Sequence, residues 1–216
     1  MRYAAIFDMD GVLVDSSGAH FVAWSRLGSE IGTPFPRTLF DHTFGMHNNQ
    51  IIPLWLGASG STEIERLSLR KEEIYRAVAS DVLEPLPGAV ALVRALHLAG
   101  VSTAVASSGP RANVLLCVRK LALEDAFDYL ATGDDVLHGK PNPEIFLKAM
   151  VGLGVPAPQC VVIEDAPQGV AAGLASGARV VAVTSSRPAA ELHDADRVVD
   201  SLTHLGVEDL LSVLGA

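Results

Sequence analysis

Short apolar runs rich in β-branched residues recur along this chain, and most lead through a turn into a helical pattern. Few folds accommodate that rhythm. Residues 3–7, 101–106, 160–163, 179–183 and 197–199 read as buried strands. Helical periodicity occupies residues 89–99, 111–121, 143–153 and 168–176, and Pro87, Gly88, Gly100, Pro143, Gly154 and Gly177 mark many of the ends. Strands alternating with helices of this length predict right-handed βαβ units. The expected fold is therefore α/β, with a doubly wound, Rossmann-like parallel sheet as its core.

Residues 16–85 break the rhythm. They contain no convincing strand and read as helices over residues 18–31 and 62–79, with shorter helical pieces between residues 36 and 56. An all-helical block after the first strand of an α/β sheet reads as an inserted cap domain. The core then comprises residues 1–15 and 86–216, and Glu84-Pro85-Leu86-Pro87-Gly88 is the return linker.

A chain of 216 residues can bury a full core without disulfide staples. Cys117 and Cys160 lie far apart and match no metal or redox spacing, so both read as reduced, packed thiols of a cytoplasmic protein. The apolar run at residues 3–7 meets Asp8 too soon for a signal peptide. The uncharged stretch from Ala95 to Pro110 is interrupted by Gly100, Ser102, Thr103 and Ser107, so it does not read as a membrane span. A net charge of −9 without a basic stripe argues against nucleic acid as a partner. Such a chain repels anions at long range, so a phosphate site must draw on a local cation, a lysine or helix N-termini.

Ligands of open α/β sheets sit beyond the carboxyl ends of the strands. The first predicted strand ends in Asp8-Met9-Asp10-Gly11, the second in Ser107-Ser108-Gly109 and the third in Glu164-Asp165. A further loop carries Gly139-Lys140-Pro141-Asn142-Pro143-Glu144. Asp8 can attack phosphorus as a nucleophile, and Asp10, two residues on, can act as general acid and base. Gly11 permits a close backbone approach. Asp165 offers a hard oxygen ligand. With Asp8 and the Asp10 carbonyl oxygen it would hold Mg²⁺, and Glu164 would join through water. Lys140 would offset the negative charge, while the Ser107 hydroxyl and the Ser108 N–H would donate to phosphate. Uncatalysed phosphate monoester hydrolysis can require up to about 10²¹-fold acceleration. A general acid–base supplies only about 10²- to 10⁴-fold of it, so the whole set must act together.

These residues carry a family resemblance. Asp8-x-Asp10-Gly11-Val12-x-x-Asp15-Ser16, Ser107, Lys140-Pro141-x-Pro143 and Glu164-Asp165 resemble, in order and spacing, the four motifs of the haloacid dehalogenase superfamily. The insert resembles its class I cap, and the subgroup is similar to β-phosphoglucomutases and small sugar-phosphate phosphatases. Asp10 implies phosphoryl transfer, because the dehalogenases of the family lack that aspartate and the metal. The resemblance also implies that His20 helps control the acid–base aspartate and that Lys71 touches substrate, with Trp24 and Asn48 as further substrate or cap candidates in the insert and Arg111 one outside it. Read as isolated residues, Trp24 is more often a core residue than a substrate platform, and Lys71, in a charge run, belongs by default to a solvated face. His42, His47 and Asn49 have no metal-binding spacing. The stretch Thr43-Phe44-Gly45-Met46-His47-Asn48 lacks the lysine and arginine with which the mutases hold a second phosphate.

The expected activity is Mg²⁺-dependent hydrolysis of a small phosphorylated metabolite, a sugar phosphate by preference, through an aspartyl-phosphate on Asp8. A hexose-phosphate mutase and a non-catalytic phosphometabolite-binding regulator are the alternatives. Neither membrane nor nucleic acid is an expected partner, and the expected state is a monomer or weak homodimer.

Overall fold

The computed structural model describes residues 2–57 and 60–215. The chain opens with β1 (Ala4–Phe7) and the two-residue β2 (Val14–Asp15). It passes through α1 (Ser17–Glu30), α2 (Arg37–Thr43), α3 (Asn48–Leu56) and α4 (Ser61–Val82), then returns through β3 (Glu84–Pro85). Beyond this point helices and strands alternate: α5 (Ala89–Leu98), β4 (Ser102–Ala106), α6 (Arg111–Lys120), β5 (Tyr129–Ala131), α7 (Glu144–Leu153), β6 (Cys160–Glu164), α8 (Pro167–Ala175), β7 (Arg179–Val183), β8 (Arg197–Val199) and α9 (Val207–Val213).

Six strands pair in parallel in the order β5-β4-β1-β6-β7-β8. The doubly wound parallel sheet expected from the sequence is present. All four residues of β1 are wholly buried, as a strand covered on both faces requires. Strand order runs outward in both directions from β1, which places the topological switch point, and hence the ligand crevice, at its carboxyl end. The edge strand β5 was not anticipated. Three residues, Tyr129-Leu130-Ala131, are too short to show periodicity, and only pairing with β4 (Val105 opposite Leu130) organises them.

The chain divides into two compact units, Met1–Asp15 with Glu84–Ala216, and Ser16–Leu83. The return to the first unit comes at Glu84, two residues ahead of the boundary read from the sequence, because Val14 and Asp15 pair antiparallel with Pro85 and Glu84. The second unit is helical, with no strand among its described residues. In its core Trp24 stacks on Phe35 at 4.8 Å between ring centres, and Trp55 meets both rings edge-on. Along α4, Leu67, Lys71 and Tyr75 recur at four-residue spacing, which brings Lys71 to the buried face. No helix among the described residues is long and apolar enough to cross a membrane.

Candidate active site

Asp8 is the first residue beyond β1, and its N–H continues the ladder by donating to the Ile163 carbonyl at 2.9 Å. Because Phe7 lies opposite Ile163 on one side and Val105 on the other, strand register alone carries Glu164, Asp165 and Ser107 to the same sheet edge. Asp8, Glu164 and Asp165 are all buried, and each offers an oxygen within 4.8 Å of the others. Lys140 arrives from the loop before α7. Its ammonium donates to Asp8 Oδ1 and to Glu164 Oε1, both at 2.5 Å, and to the Ala106 carbonyl at 3.4 Å.

Backbone geometry sets these distances. Gly11 has φ of +83°, and a methyl group there would collide with the Asp165 carboxylate. Gly169, in the first turn of α8, likewise leaves room for the Glu164 side chain. The Glu164 carboxylate also accepts the N–H groups of Asp165 (2.8 Å) and Ala166 (3.1 Å), so it is held from both sides. Ser185, after β7, donates to the Gly11 carbonyl, and Ser186 donates to that of Asp165 at 3.0 Å. These ties were invisible in the sequence, since nothing in a Ser-Ser pair after a strand marks it as a brace.

Electrostatics follow from this crowding. Burial pushes the Asp8 carboxyl up from an ordinary 3.8 to about 7; Lys140 holds it down, whereas Glu164 and Asp10 push it further up. Burial, then Glu164 and Asp8, raise Asp165 well above the carboxylate range. For Lys140 burial opposes the charge, but Asp8 and Glu164 outweigh it, and the ammonium is stabilised. Three buried carboxylates thus face one ammonium. Asp165 Oδ2 is buried without a hydrogen-bond partner, and the N-cap of α8 is Ala166 rather than Asp165. An orphaned carboxylate oxygen among hard oxygen donors, in a cluster short of two positive charges, fits a divalent cation such as Mg²⁺.

The remaining sequence candidates divide. Asp10 is half-buried and bridges to Val14. Ser107 is fully buried, with its hydroxyl oxygen accepting the Gly109 N–H at 3.1 Å, and Ser108 is half-buried. Arg111 starts α6 with an exposed side chain and its N–H on Asp134, which fits a first-turn helix residue. Within the helical unit, Lys71 is 2% exposed, so the solvated face expected for it is corrected. Its ammonium lies 2.7 Å from His20 Nδ1 and donates to Glu72 Oε1, also at 2.7 Å. Asn48 donates to the same Glu72 oxygen at 2.7 Å, and His20 stacks on Tyr75 at 3.9 Å. Trp24 is a core residue: its ring is buried between Phe35 and Trp55, which leaves no platform.

Comparison with known proteins identifies the family. Residues 4–177 match the model of the haloacid dehalogenase-like hydrolases. The chain is 33% identical over 202 residues to hexitol phosphatase A of Escherichia coli, covering 94% of this chain and 92% of that protein. It is 32% identical over 213 residues to β-phosphoglucomutase of Bacillus subtilis, covering 95% and 92% respectively. The crystal structure of β-phosphoglucomutase from Clostridium difficile superposes with a TM-score of 0.89 at 27% identity, over 100% of this chain and 98% of that one. A match across most of the chain, with acidic strand ends and a lysine meeting at the switch point of the sheet, leaves one assignment: this protein belongs to the haloacid dehalogenase-like hydrolase family.

Proposed function

We propose that the protein is a Mg²⁺-dependent phosphatase of small phosphorylated metabolites, sugar phosphates foremost, working through an aspartyl-phosphate on Asp8. The observation that carries this reading is the buried ion-pair chain Asp8–Lys140–Glu164 beside the orphaned Asp165 oxygen. A pure binding site has no use for a buried nucleophile held against a lysine.

The Asp8 carboxylate attacks phosphorus, and the bond to the leaving oxygen breaks as Asp10 delivers a proton to it. Asp10 then takes a proton from water, which attacks the acyl phosphate, releases inorganic phosphate and restores Asp8. Lys140 favours the anionic form of Asp8 against the effect of burial and grips a phosphate oxygen, while the Ser107 hydroxyl and Ser108 N–H donate to the others. Mg²⁺ would be held by Asp8, Asp165 and the Asp10 carbonyl oxygen, with Glu164 joining through water, and supplies the positive charge the cluster lacks. The helical unit serves in this reading as the substrate-selecting cap, with His20, Asn48 and Lys71 as its polar candidates.

Hydrolysis is preferred over mutase chemistry because a mutase must hold two phosphates. The Lys71 charge is already offset by Glu72 inside the helical unit. The test is an assay of p-nitrophenyl phosphate with Mg²⁺, comparing the protein with Asp8→Asn. Turnover abolished by the substitution supports the reading, and substantial surviving turnover sinks it. Following β-glucose 1-phosphate by NMR separates the alternatives: free phosphate marks a phosphatase, and isomerisation without it a mutase.

A further inference from the structure

The loop that delivers Lys140 is closed on itself by one side chain. Both oxygens of Glu144, the first residue of α7, reach back along the chain. Oε1 accepts the Leu137 N–H at 3.0 Å; Oε2 accepts the His138 N–H at 2.9 Å and lies 3.1 Å from His138 Nδ1. The turn is completed by the Asn142 N–H donating to the Gly139 carbonyl at 3.1 Å. Lys140 sits inside this ring, and its long, flexible stem would otherwise have many ways to place the ammonium. The start of α7 has a separate fixture, because Asn142 Oδ1 accepts the Glu144 N–H at 3.0 Å.

We propose that Glu144 is a positioning residue, whose two-oxygen grip on Leu137 and His138 aims the Lys140 ammonium at Asp8 and at the phosphate. This rests on the phosphatase reading above. The grip is charge-assisted: the backbone N–H groups of Leu137 and His138 hold the Glu144 carboxyl below its ordinary range. A rigid α7 supports it, since Ile145, Phe146 and Ala149 are buried in the core directly behind. The Lys140 ammonium also lies over the Phe146 ring at 4.8 Å, so helix and loop fix the lysine from two directions.

The test is a double-mutant cycle in the intact protein, with two readouts: inorganic phosphate affinity in the presence of Mg²⁺ by calorimetry, and p-nitrophenyl phosphate turnover. Glu144→Gln keeps the shape but loses one acceptor oxygen and the charge. It is expected to cut kcat about 10-fold or more, the scale of a small misplacement of a catalytic group, with phosphate affinity falling in parallel. In a Lys140→Ala background the same change is expected to cost less than about 2-fold in either readout, because the residue it positions is already gone. Equal losses in both backgrounds would reduce Glu144 to a helix-start residue and overturn the proposal. Asn142→Ala, which loosens the same helix start but leaves the grip intact, is expected to lower the melting temperature without the kcat loss. If turnover in the wild type proves independent of Asp8, the phosphatase reading fails, and the phosphate-affinity cycle alone decides the role of Glu144. A wild type that binds no phosphate at all overturns it too.

Discussion

At Gly11 a hydrogen in place of a methyl group decides whether two carboxylates can meet. Gly11→Ala would force a side chain into the Asp165 carboxylate and into a positive-φ backbone position. The expected result is a stability loss of about 1–2 kcal/mol or more by urea denaturation and at least a ~10-fold drop in Mg²⁺ affinity by calorimetry. Asp10→Asn should behave differently, because its carbonyl oxygen is retained. Metal binding is expected to persist while turnover falls by about 10²- to 10⁴-fold, and unaltered rates would remove the acid–base role. At this scale Asp8, Asp10, Ser107, Lys140 and Asp165 stood out as candidates, since each lies at or shortly beyond the end of a readable strand or, for Lys140, in the loop just ahead of a readable helix. Glu144, Gly169 and Ser185 were not, because their roles rest on contacts that no spacing rule encodes.

Helix α4 shows what an element adds. Its charge-rich sequence suggests a solvated surface, yet Lys71 and Glu72 are buried and bonded to each other and to His20 and Asn48 from α1 and α3. Glu72→Gln would leave a buried ammonium without its counter-charge. Breaking such a pair costs about 3–5 kcal/mol, so the helical unit is expected to unfold at markedly lower urea, seen by tryptophan fluorescence through Trp24 and Trp55. Should the Gln variant match the wild type, the pair is a bystander. The amphipathic period of α4 was readable, but which face was buried was not. Charged residues occupy both faces, and only the aromatic partners on the neighbouring helices select one. For β5 the deficit was length: pairing with β4, not local propensity, makes three residues a strand.

For the whole molecule, the carboxylate cluster links stability to pH and metal. Asp8, and Asp165 in the same direction, bind protons more tightly folded than unfolded. Their contribution is therefore fully present below the ordinary carboxylate value, and is lost as pH rises from about 4 through about 7. Without divalent cation, the melting temperature is expected to decline across that window. Mg²⁺ competes with those protons, so its stabilisation should be small at pH 5 and large at pH 8, approaching ~2.7 kcal/mol at a hundred times its dissociation constant. Scanning calorimetry with EDTA and with Mg²⁺ at both pH values checks this. A Mg²⁺ effect independent of pH would detach the metal from Asp8.

The sequence alone determined the strand–helix rhythm, the helical insert and the acidic strand ends, because these are local signals of period, punctuation and residue type. Tertiary structure decided the rest. Parallel register set Asp8 between Ser107 and Glu164, and a glycine hydrogen let Asp165 close in. A ring of backbone N–H groups on Glu144 frames the loop that brings Lys140 to Asp8. The first two join residues far apart in the chain and exist only once the sheet has ordered its strands, whereas the Glu144 grip is a local contact between side chain and backbone that no spacing rule encodes.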